Sequence, residues 1–132
     1  MKIQGPAVAG HFYPADPDVL RRDGRPFVSA ADPDLTRQPK ALIAPHAGYV
    51  YSGPTAGVAY AQLAQVADQI SRVVLLAPSH RVGFQGIAYS SADIFRTPLG
   101  DVEVDQNALA QIEDMAETHL LDRAFPNEHS RE

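Results

Sequence analysis

The chain has 132 residues, 45% of them apolar, with a net charge of −5 and no cysteine, which predicts one ordinary globular domain over residues 1–132. The acidic balance argues against nucleic-acid binding, and the missing cysteines exclude disulfides and thiolate metal ligands within this chain. Apolar runs are far shorter than the ~20 residues of a membrane-spanning helix, and the N-terminus is a poor signal peptide, so we expect a cytoplasmic protein that does not enter a membrane.

The first forty residues are predicted to be the least regular part of the chain. Asp16 is placed to cap a helix that has Pro17 at its first position. Gly24 and Pro26 then interrupt the helical pattern, because both residue types disfavour a helix interior. We therefore expect this first helix to be short or broken.

Two short apolar runs, each followed by a proline, predict the centre of the fold. Lys40–Ala44 ends at Pro45 and Arg72–Ala77 ends at Pro78, and both runs have the length of strands buried on both faces. A helix is predicted between them, beginning near Ser52–Pro54. Strand, helix and strand in this order form a βαβ unit, which predicts that the two strands are parallel neighbours.

Shorter elements are predicted for the last third of the chain. The pattern indicates strands at Gly86–Ser90, Asp93–Arg96 and Val102–Val104. Asp105 is placed to cap a final helix that fades near His119, whose imidazole would then interact with the helix macrodipole. The predicted fold class is α/β, with a mainly parallel sheet and flanking helices.

Two histidines follow the predicted central strands at matched positions. His46 comes directly after Pro45, and His80 follows Pro78 after one further residue. Parallel strands share one carboxyl edge, where ligands bind in open α/β sheets, so the two imidazoles are expected to face one shared cavity. Imidazole is a common ligand of zinc, iron and copper, so the pair predicts a metal site. The alternative is that each histidine is an ordinary polar group on a surface loop.

Tyr49 and His129 are the candidates for acid–base catalysis or for orienting a substrate. Tyr49 is expected near the same edge of the sheet, although an aromatic residue beside a sheet more often serves packing. His129, preceded by Glu128, is expected either to support the metal site or substrate, or to lie in a tail without a role.

A hydrolase is the weaker alternative at this edge. It would need Ser79 as nucleophile and His46 as base, with Asp93 or Asp101 orienting the histidine. No nucleophile-elbow motif surrounds Ser79, so the sequence does not support this chemistry.

A phosphate-binding loop is also excluded, although glycines are frequent after the first predicted strand. Pro54 rather than lysine follows Gly53, whereas a phosphate loop requires lysine at that point. The predicted helix N-terminus at Ser52–Thr55 is able to attract an anion. The plainer interpretation is that the glycines only permit a tight turn between strand and helix.

Several motifs spread over nearly the whole chain carry a family resemblance. They are Pro6-Ala7-Val8-Ala9-Gly10, Phe12-Tyr13-Pro14, Ile43-Ala44-Pro45-His46-Ala47-Gly48-Tyr49, Ser52-Gly53, Leu76-Ala77-Pro78-Ser79-His80, Phe95-Arg96-Thr97-Pro98-Leu99-Gly100, Val104-Asp105 and Glu128-His129-Ser130. In these motifs the chain resembles the Memo-like family, also called AmmeMemoRadiSam system protein B. The spacing of the two histidine motifs, together with the Arg-Thr-Pro-Leu-Gly segment, makes the resemblance specific.

The resemblance implies a fold similar to that of the class III extradiol dioxygenases, which use non-haem Fe(II). It implies metal ligands at His46 and His80, with a further ligand from later in the chain. Fe(II) is the metal it favours, and zinc or copper are the alternatives. It also implies a link to a radical SAM protein and to the third member of that system. The alternative is a non-enzymatic scaffold or binding module that keeps the family fold.

The sequence departs from the family pattern in two places. Family chains continue well past the Glu-His-Ser motif, whereas this chain stops at Glu132, and Arg131 stands where an apolar residue is usual. Gly24 and Pro26 stand where an unbroken helix is expected. We therefore expect the N-terminal half of a Memo-like domain, whose uncovered sheet edge and apolar face promote self-association.

Overall fold

The computed structural model describes residues 1–34 and 36–132 of the chain. These residues divide into two units. The helical unit comprises Ala9–Leu75, and the sheet unit combines Met1–Val8 with Leu76–Glu132. Within the described ranges, no helix has both the length and the apolar character needed to cross a membrane.

The first helix of the helical unit, α1, runs over Pro17–Ser29. Asp16 caps it as predicted, because its carboxylate accepts the backbone N–H groups of Asp18 and Val19, both at 2.9 Å. Proline at the first helical position costs nothing, since the N–H that it lacks has no partner inside the helix there.

The prediction that α1 is short or broken is wrong, because Gly24 and Pro26 both lie inside it. The helix resumes normal bonding after the proline, where Ala30 donates its N–H to the carbonyl of Pro26 at 2.9 Å. Packing on the second helix accounts for this continuity, since Tyr49 lies 3.6 Å from where a side chain on Gly24 would begin. Tertiary contacts of this kind outweigh a local propensity cost.

The second helix, α2, runs over Tyr49–Ala61 and has Gly48 as its cap. It therefore begins one turn before the predicted start, and Pro54 lies inside it. The interpretation of Ser52–Thr55 as an anion-attracting helix N-terminus is wrong, because these residues are within the helix, where backbone N–H groups have helical partners.

Two glycines of α2 let the two helices approach closely. Gly53 and Gly57 are buried one turn apart. A Cβ on Gly53 would lie 2.7 Å from the ring of Phe27 in α1, and a Cβ on Gly57 would overlap the backbone carbonyl of the same residue. These glycines therefore serve helix packing, which the turn interpretation of the sequence did not foresee.

The sheet unit contains two small sheets. In the first, β1 (Ile3–Gln4) lies parallel to β3 (Ile94–Thr97), which pairs antiparallel with β4 (Gly100–Glu103). In the second, β2 (Ile87–Tyr89) lies parallel to β5 (Thr118–Leu120). The predicted short strands near residues 86–104 are thus confirmed.

The last helix, α3, covers Gln106–Glu113 and is capped by Asp105, as predicted. Its end comes before the predicted position near His119. His119 instead lies in β5, where it is paired with Ala88, so the prediction that it interacts with the helix macrodipole is wrong. The conformation of His119 depends on pairing with Ala88, 31 residues earlier, and the local helical pattern of the sequence contains no information about that partner.

The two predicted central strands are not strands in the structure. Ala41–Ala44 and Arg72–Ala77 are both described, and neither takes part in a sheet. Most of their apolar side chains are exposed, and Ile43 and Val74 are among the most accessible large apolar residues described. A parallel strand buried in a sheet needs hydrogen-bonded neighbours, and an apolar run does not specify them. The α/β class is confirmed, and among the described strands the parallel pairs are β1 with β3 and β2 with β5.

A polar cluster ties the start of the chain to the loop after β2. The ammonium of Lys2 donates to Asp122 at 2.6 Å and to Ser91 at 2.7 Å, and the backbone N–H of Ser91 donates to Asp122 at 2.8 Å. The hydrogen bond from Lys2, followed by those from Ser91, holds the pKa of Asp122 well below its usual value.

We expect the stability of the chain to fall as the pH drops below about 4, where Asp122 takes up a proton in the unfolded chain but not yet in the folded one. Asp122→Asn should weaken this dependence, although the side chain is 40% exposed and solvent screens part of the effect. Urea unfolding followed by circular dichroism at about pH 6 and about pH 3 measures it. The same loss of stability in variant and wild type would contradict the assignment.

Candidate metal centre

Two imidazoles lie against each other in the sheet unit. His80 lies in the segment before β2, and its ring stacks on that of His129, with 4.4 Å between centroids and 28° between planes. One ring nitrogen of each histidine lies within 4.8 Å of the other. Two nitrogens bound to one ion at ~2.1 Å each are at most ~4.2 Å apart, so a small ring movement brings both within reach of one ion.

Three hydrogen bonds join the two segments that carry these rings. The Ser130 hydroxyl donates to the carbonyl of Pro78 at 2.6 Å. The backbone N–H of His80 donates to the carboxylate of Glu128, and Nδ1 of the same histidine lies 2.8 Å from Glu128 Oε1. Residues 78–80 and 128–130 are therefore held together as one structure, which we call the histidine cluster.

Glu128 lies at the middle of the histidine cluster. Its side chain is only 7% exposed, and it also accepts the backbone N–H of Ser130 at 3.0 Å. Burial by itself raises the pKa of a carboxyl group, but the hydrogen bonds from His80 and Ser130 outweigh it and hold the pKa of Glu128 well below its ordinary value. Glu128 is therefore a carboxylate at neutral pH, placed beside two imidazoles.

The histidine cluster offers donors that suit a divalent transition metal. Imidazole is a good ligand for zinc, iron, copper and nickel. A histidine that binds a metal usually donates its other ring N–H to a carboxylate or carbonyl, as His80 is placed to do towards Glu128. The side chain of His80 is 39% exposed and that of His129 is 19% exposed, so an ion can reach the rings from solvent.

His46 lies in the helical unit, in the segment that leads into α2. The backbone after it is fixed by two hydrogen bonds. The Ser52 hydroxyl donates to the carbonyl of Ala47 at 2.7 Å, and the N–H of Tyr49 donates to the carbonyl of Phe12 at 2.8 Å. The strands from which His46 and His80 were predicted to converge are not formed, and the prediction that the two share a metal stays a prediction.

Tyr49 is a packing residue of the helical unit. Its ring centroid lies 5.5 Å from that of Tyr13 and 6.1 Å from that of Phe27, which it meets edge to face. Burial raises the pKa of the Tyr49 phenol, so this side chain carries its proton at neutral pH and serves as a donor rather than a base. Its predicted catalytic role stays a prediction.

The two aspartates proposed to orient the histidine in the hydrolase alternative bond to other groups. Asp93 accepts the backbone N–H of Lys2 at 2.6 Å, and Asp101 forms a two-pronged ion pair with Arg96 at 2.7 and 2.8 Å. The hydroxyl of Ser79 donates to a backbone carbonyl three residues on. These contacts tie the described aspartates to the frame of the sheet unit rather than to a histidine.

Sequence reasoning treated Glu128 only as the neighbour of His129 and missed its bonds to His80. The available signal was the pairing of a carboxylate with a histidine in the Glu-His-Ser motif. Nothing in the sequence joins this motif to Pro78-Ser79-His80, because the two segments are 48 residues apart.

Comparison with known proteins agrees with the motifs. A family profile described as "Memo-like protein" matches residues 4–132. A MEMO1 family protein of Aquifex aeolicus (strain VF5) is 39% identical over 105 residues, and one of Methanocaldococcus jannaschii is 37% identical over 141 residues. The memo-1 homolog of Caenorhabditis elegans is 38% identical over 125 residues.

These alignments cover most of the chain but only part of each relative. They take in 80%, 99% and 94% of this chain, and 38%, 49% and 35% of the three relatives in the same order. The chain thus spans about half, or less, of the length of the curated relatives it matches.

Proposed function

This chain belongs to the Memo-like protein family, and we propose that it binds one divalent metal ion through His80 and His129, with His46 as a further ligand. The observation that carries the proposal is the stacked pair of His80 and His129, held against the Glu128 carboxylate. His46 is added on the sequence pattern, since it follows Pro45 as His80 follows Pro78.

Fe(II) is the metal we propose first, on the resemblance to the non-haem extradiol dioxygenases, with zinc or copper as alternatives. A bound iron would supply Lewis-acid and one-electron chemistry. The histidines of this chain would hold the ion, and Tyr49 would act as a proton donor. The proposed activity is therefore that of an oxidoreductase of the dioxygenase type, linked to a radical SAM protein and the third member of its system.

Size-exclusion chromatography with elemental analysis of the eluted protein tests the proposal directly. The purified chain is stripped of metal, incubated in separate samples with Fe(II) without oxygen, with Zn(II) or with Cu(II), and passed over the column. We expect about one ion per chain to elute with the protein for at least one of the three metals. Loss of all three metals on the column would contradict a metal site.

A binding module is the second candidate function, and the exposed apolar segments favour it. Aliphatic side chains in Ala41–Ala44 and Arg72–Ala77 are exposed to solvent, among them Ile43, Val74 and Leu76. Such surfaces associate with other polypeptides. The same column tests this candidate with a second copy of the chain as the partner, in which case the chain elutes larger than a monomer. A clean monomer that retains one ion would contradict it.

A further inference from the structure

We infer that Glu128 is a positioning residue, which holds a proton on Nδ1 of His80 so that Nε2 becomes the nitrogen that binds the metal. The inference rests on the proposed function and adds to it the residue that orients the ligand. Glu128 does not itself have to touch the ion. Its action is to select one of the two neutral forms of an imidazole, of which only one presents a lone pair in the required direction.

The hydrogen bonds around Glu128 define which atom carries each proton. Oε2 accepts the backbone N–H of His80, and Oε1 accepts the backbone N–H of Ser130 at 3.0 Å. A carboxylate has no proton of its own to give, so the 2.8 Å contact between Oε1 and Nδ1 of His80 is a bond only if Nδ1 carries the hydrogen. In the neutral ring the lone pair is then on Nε2.

The second ring of the pair follows the same orientation. Nδ1 of His129 lies 3.5 Å from Glu128 Oε1, the oxygen that meets Nδ1 of His80. The two rings are stacked with 28° between their planes, and both Nδ1 atoms face the same oxygen of Glu128. One carboxylate oxygen therefore lies near the Nδ1 atoms of both imidazoles.

The negative charge on Glu128 is required for this arrangement. The carboxylate accepts from two backbone N–H groups and from Nδ1 of His80, and an amide could accept these bonds at only one of its two heavy atoms. Glu128→Gln keeps the size of the side chain but places its NH₂ group, which can only donate, opposite at least one of these N–H donors. The variant should release the His80 ring from its fixed proton position.

The first test needs no variant and no metal. Long-range ¹⁵N–¹H correlation spectra of the metal-free protein, recorded above the pH where histidines are charged, report which ring nitrogen carries the proton. We expect the neutral His80 to carry it on Nδ1, with the exposed His11 as an internal reference. A neutral His80 protonated on Nε2 would overturn the inference without any mutation.

The second test compares Glu128→Gln with Asp122→Asn. Both changes remove one negative charge from a hydrogen-bonded carboxylate of the sheet unit, but Asp122 bonds to Lys2, Ser90 and Ser91 rather than to an imidazole. We expect Glu128→Gln to shift the His80 proton away from Nδ1 and to lower Zn(II) affinity by ~10–100-fold, the range for loss of a partner that orients a ligand. Asp122→Asn should change neither.

The outcomes separate this inference from the proposed function. If wild type binds metal and Glu128→Gln leaves both the tautomer and the affinity unchanged, Glu128 does not position His80. If Glu128→Gln and Asp122→Asn weaken metal binding equally, the effect is a general loss of stability, and the inference is likewise wrong. If wild type binds no metal while His80 shows the Nδ1–H form, the proposed function fails and Glu128 has only a structural role.

Discussion

Replacing His80 with alanine is expected to abolish tight metal binding. The substitution removes one ligand outright and also removes the ring on which His129 stacks. Loss of a partner that only orients a ligand already costs ~10–100-fold in affinity, so loss of the ligand should cost more than ~100-fold. Competition of the chain with a chromophoric Zn(II) chelator measures the affinity for wild type and variant.

His11→Ala is the matched control for this experiment. His11 lies exposed in a turn of the helical unit, so its removal takes away a histidine that is not part of the histidine cluster. His46→Ala run beside it tests the ligand assigned on sequence alone. Equal affinities for wild type and His80→Ala would remove the basis for the proposed metal centre, whereas weakening by His11→Ala would show that binding is non-specific.

Replacing Gly57 with alanine is expected to destabilise this chain strongly. The new Cβ would overlap the backbone carbonyl of Phe27, and backbone cannot rotate aside as a side chain can. Overpacking typically costs ~1–3 kcal/mol and occasionally more, and this position should fall at or above the upper end. Urea unfolding followed by circular dichroism measures the loss.

Two further glycine-to-alanine variants are controls for the stability loss expected at Gly57. The atoms nearest to a Cβ on Gly53 belong to the ring of Phe27, at 2.7 Å, and the ring can turn, so the loss for Gly53→Ala should be smaller than at Gly57. Gly83→Ala meets no heavy atom within 4 Å and should change stability by less than ~0.5 kcal/mol. The same small loss at all three positions would show that α1 and α2 are not packed as closely as described.

Helix beginnings were predictable because the interactions that create them are local. Asp16 and Asp105 cap α1 and α3 through backbone N–H groups two or three residues away, so the signal lies within four residues of sequence. Pro54 misled the same reasoning for α2, since proline fits a first helical turn but is also carried inside this helix. The start of α2 depends on its packing against α1, and the local sequence pattern gives no information about that packing.

The central strands were not predictable from their apolar residues. Ala41–Ala44 and Arg72–Ala77 show the composition of buried strands, but a strand exists only through hydrogen bonds to a neighbour. The strands that do form, such as β2 with β5, find partners about 30 residues along the chain. The apolar composition indicated burial, but side chains such as Ile43 and Val74 are exposed, because burial in a sheet requires a strand partner that composition does not specify.

The candidate site was predictable in its residue types but not in its connections. His80 was predicted as a metal ligand together with His46, and His129 only as an acid–base or supporting group, whereas the structure stacks His80 on His129. Glu128 did not stand out, because its importance lies in bonds to a residue 48 positions earlier. The sequence identifies residues able to bind a metal, whereas the hydrogen bonds among them are known only from the structure.

The pairing of β1 with β3 sets the order in which this chain can fold during synthesis. Ile3 is paired with Ile94, so the first strand has no partner until more than ninety residues have been made. The helical unit, by contrast, is one continuous stretch that is complete at Leu75. Contacts of long sequence separation carry a large loop-closure cost and form slowly. The histidine cluster belongs to the later-forming of the two units, so metal binding through His80 and His129 is acquired after the helical unit has been synthesised.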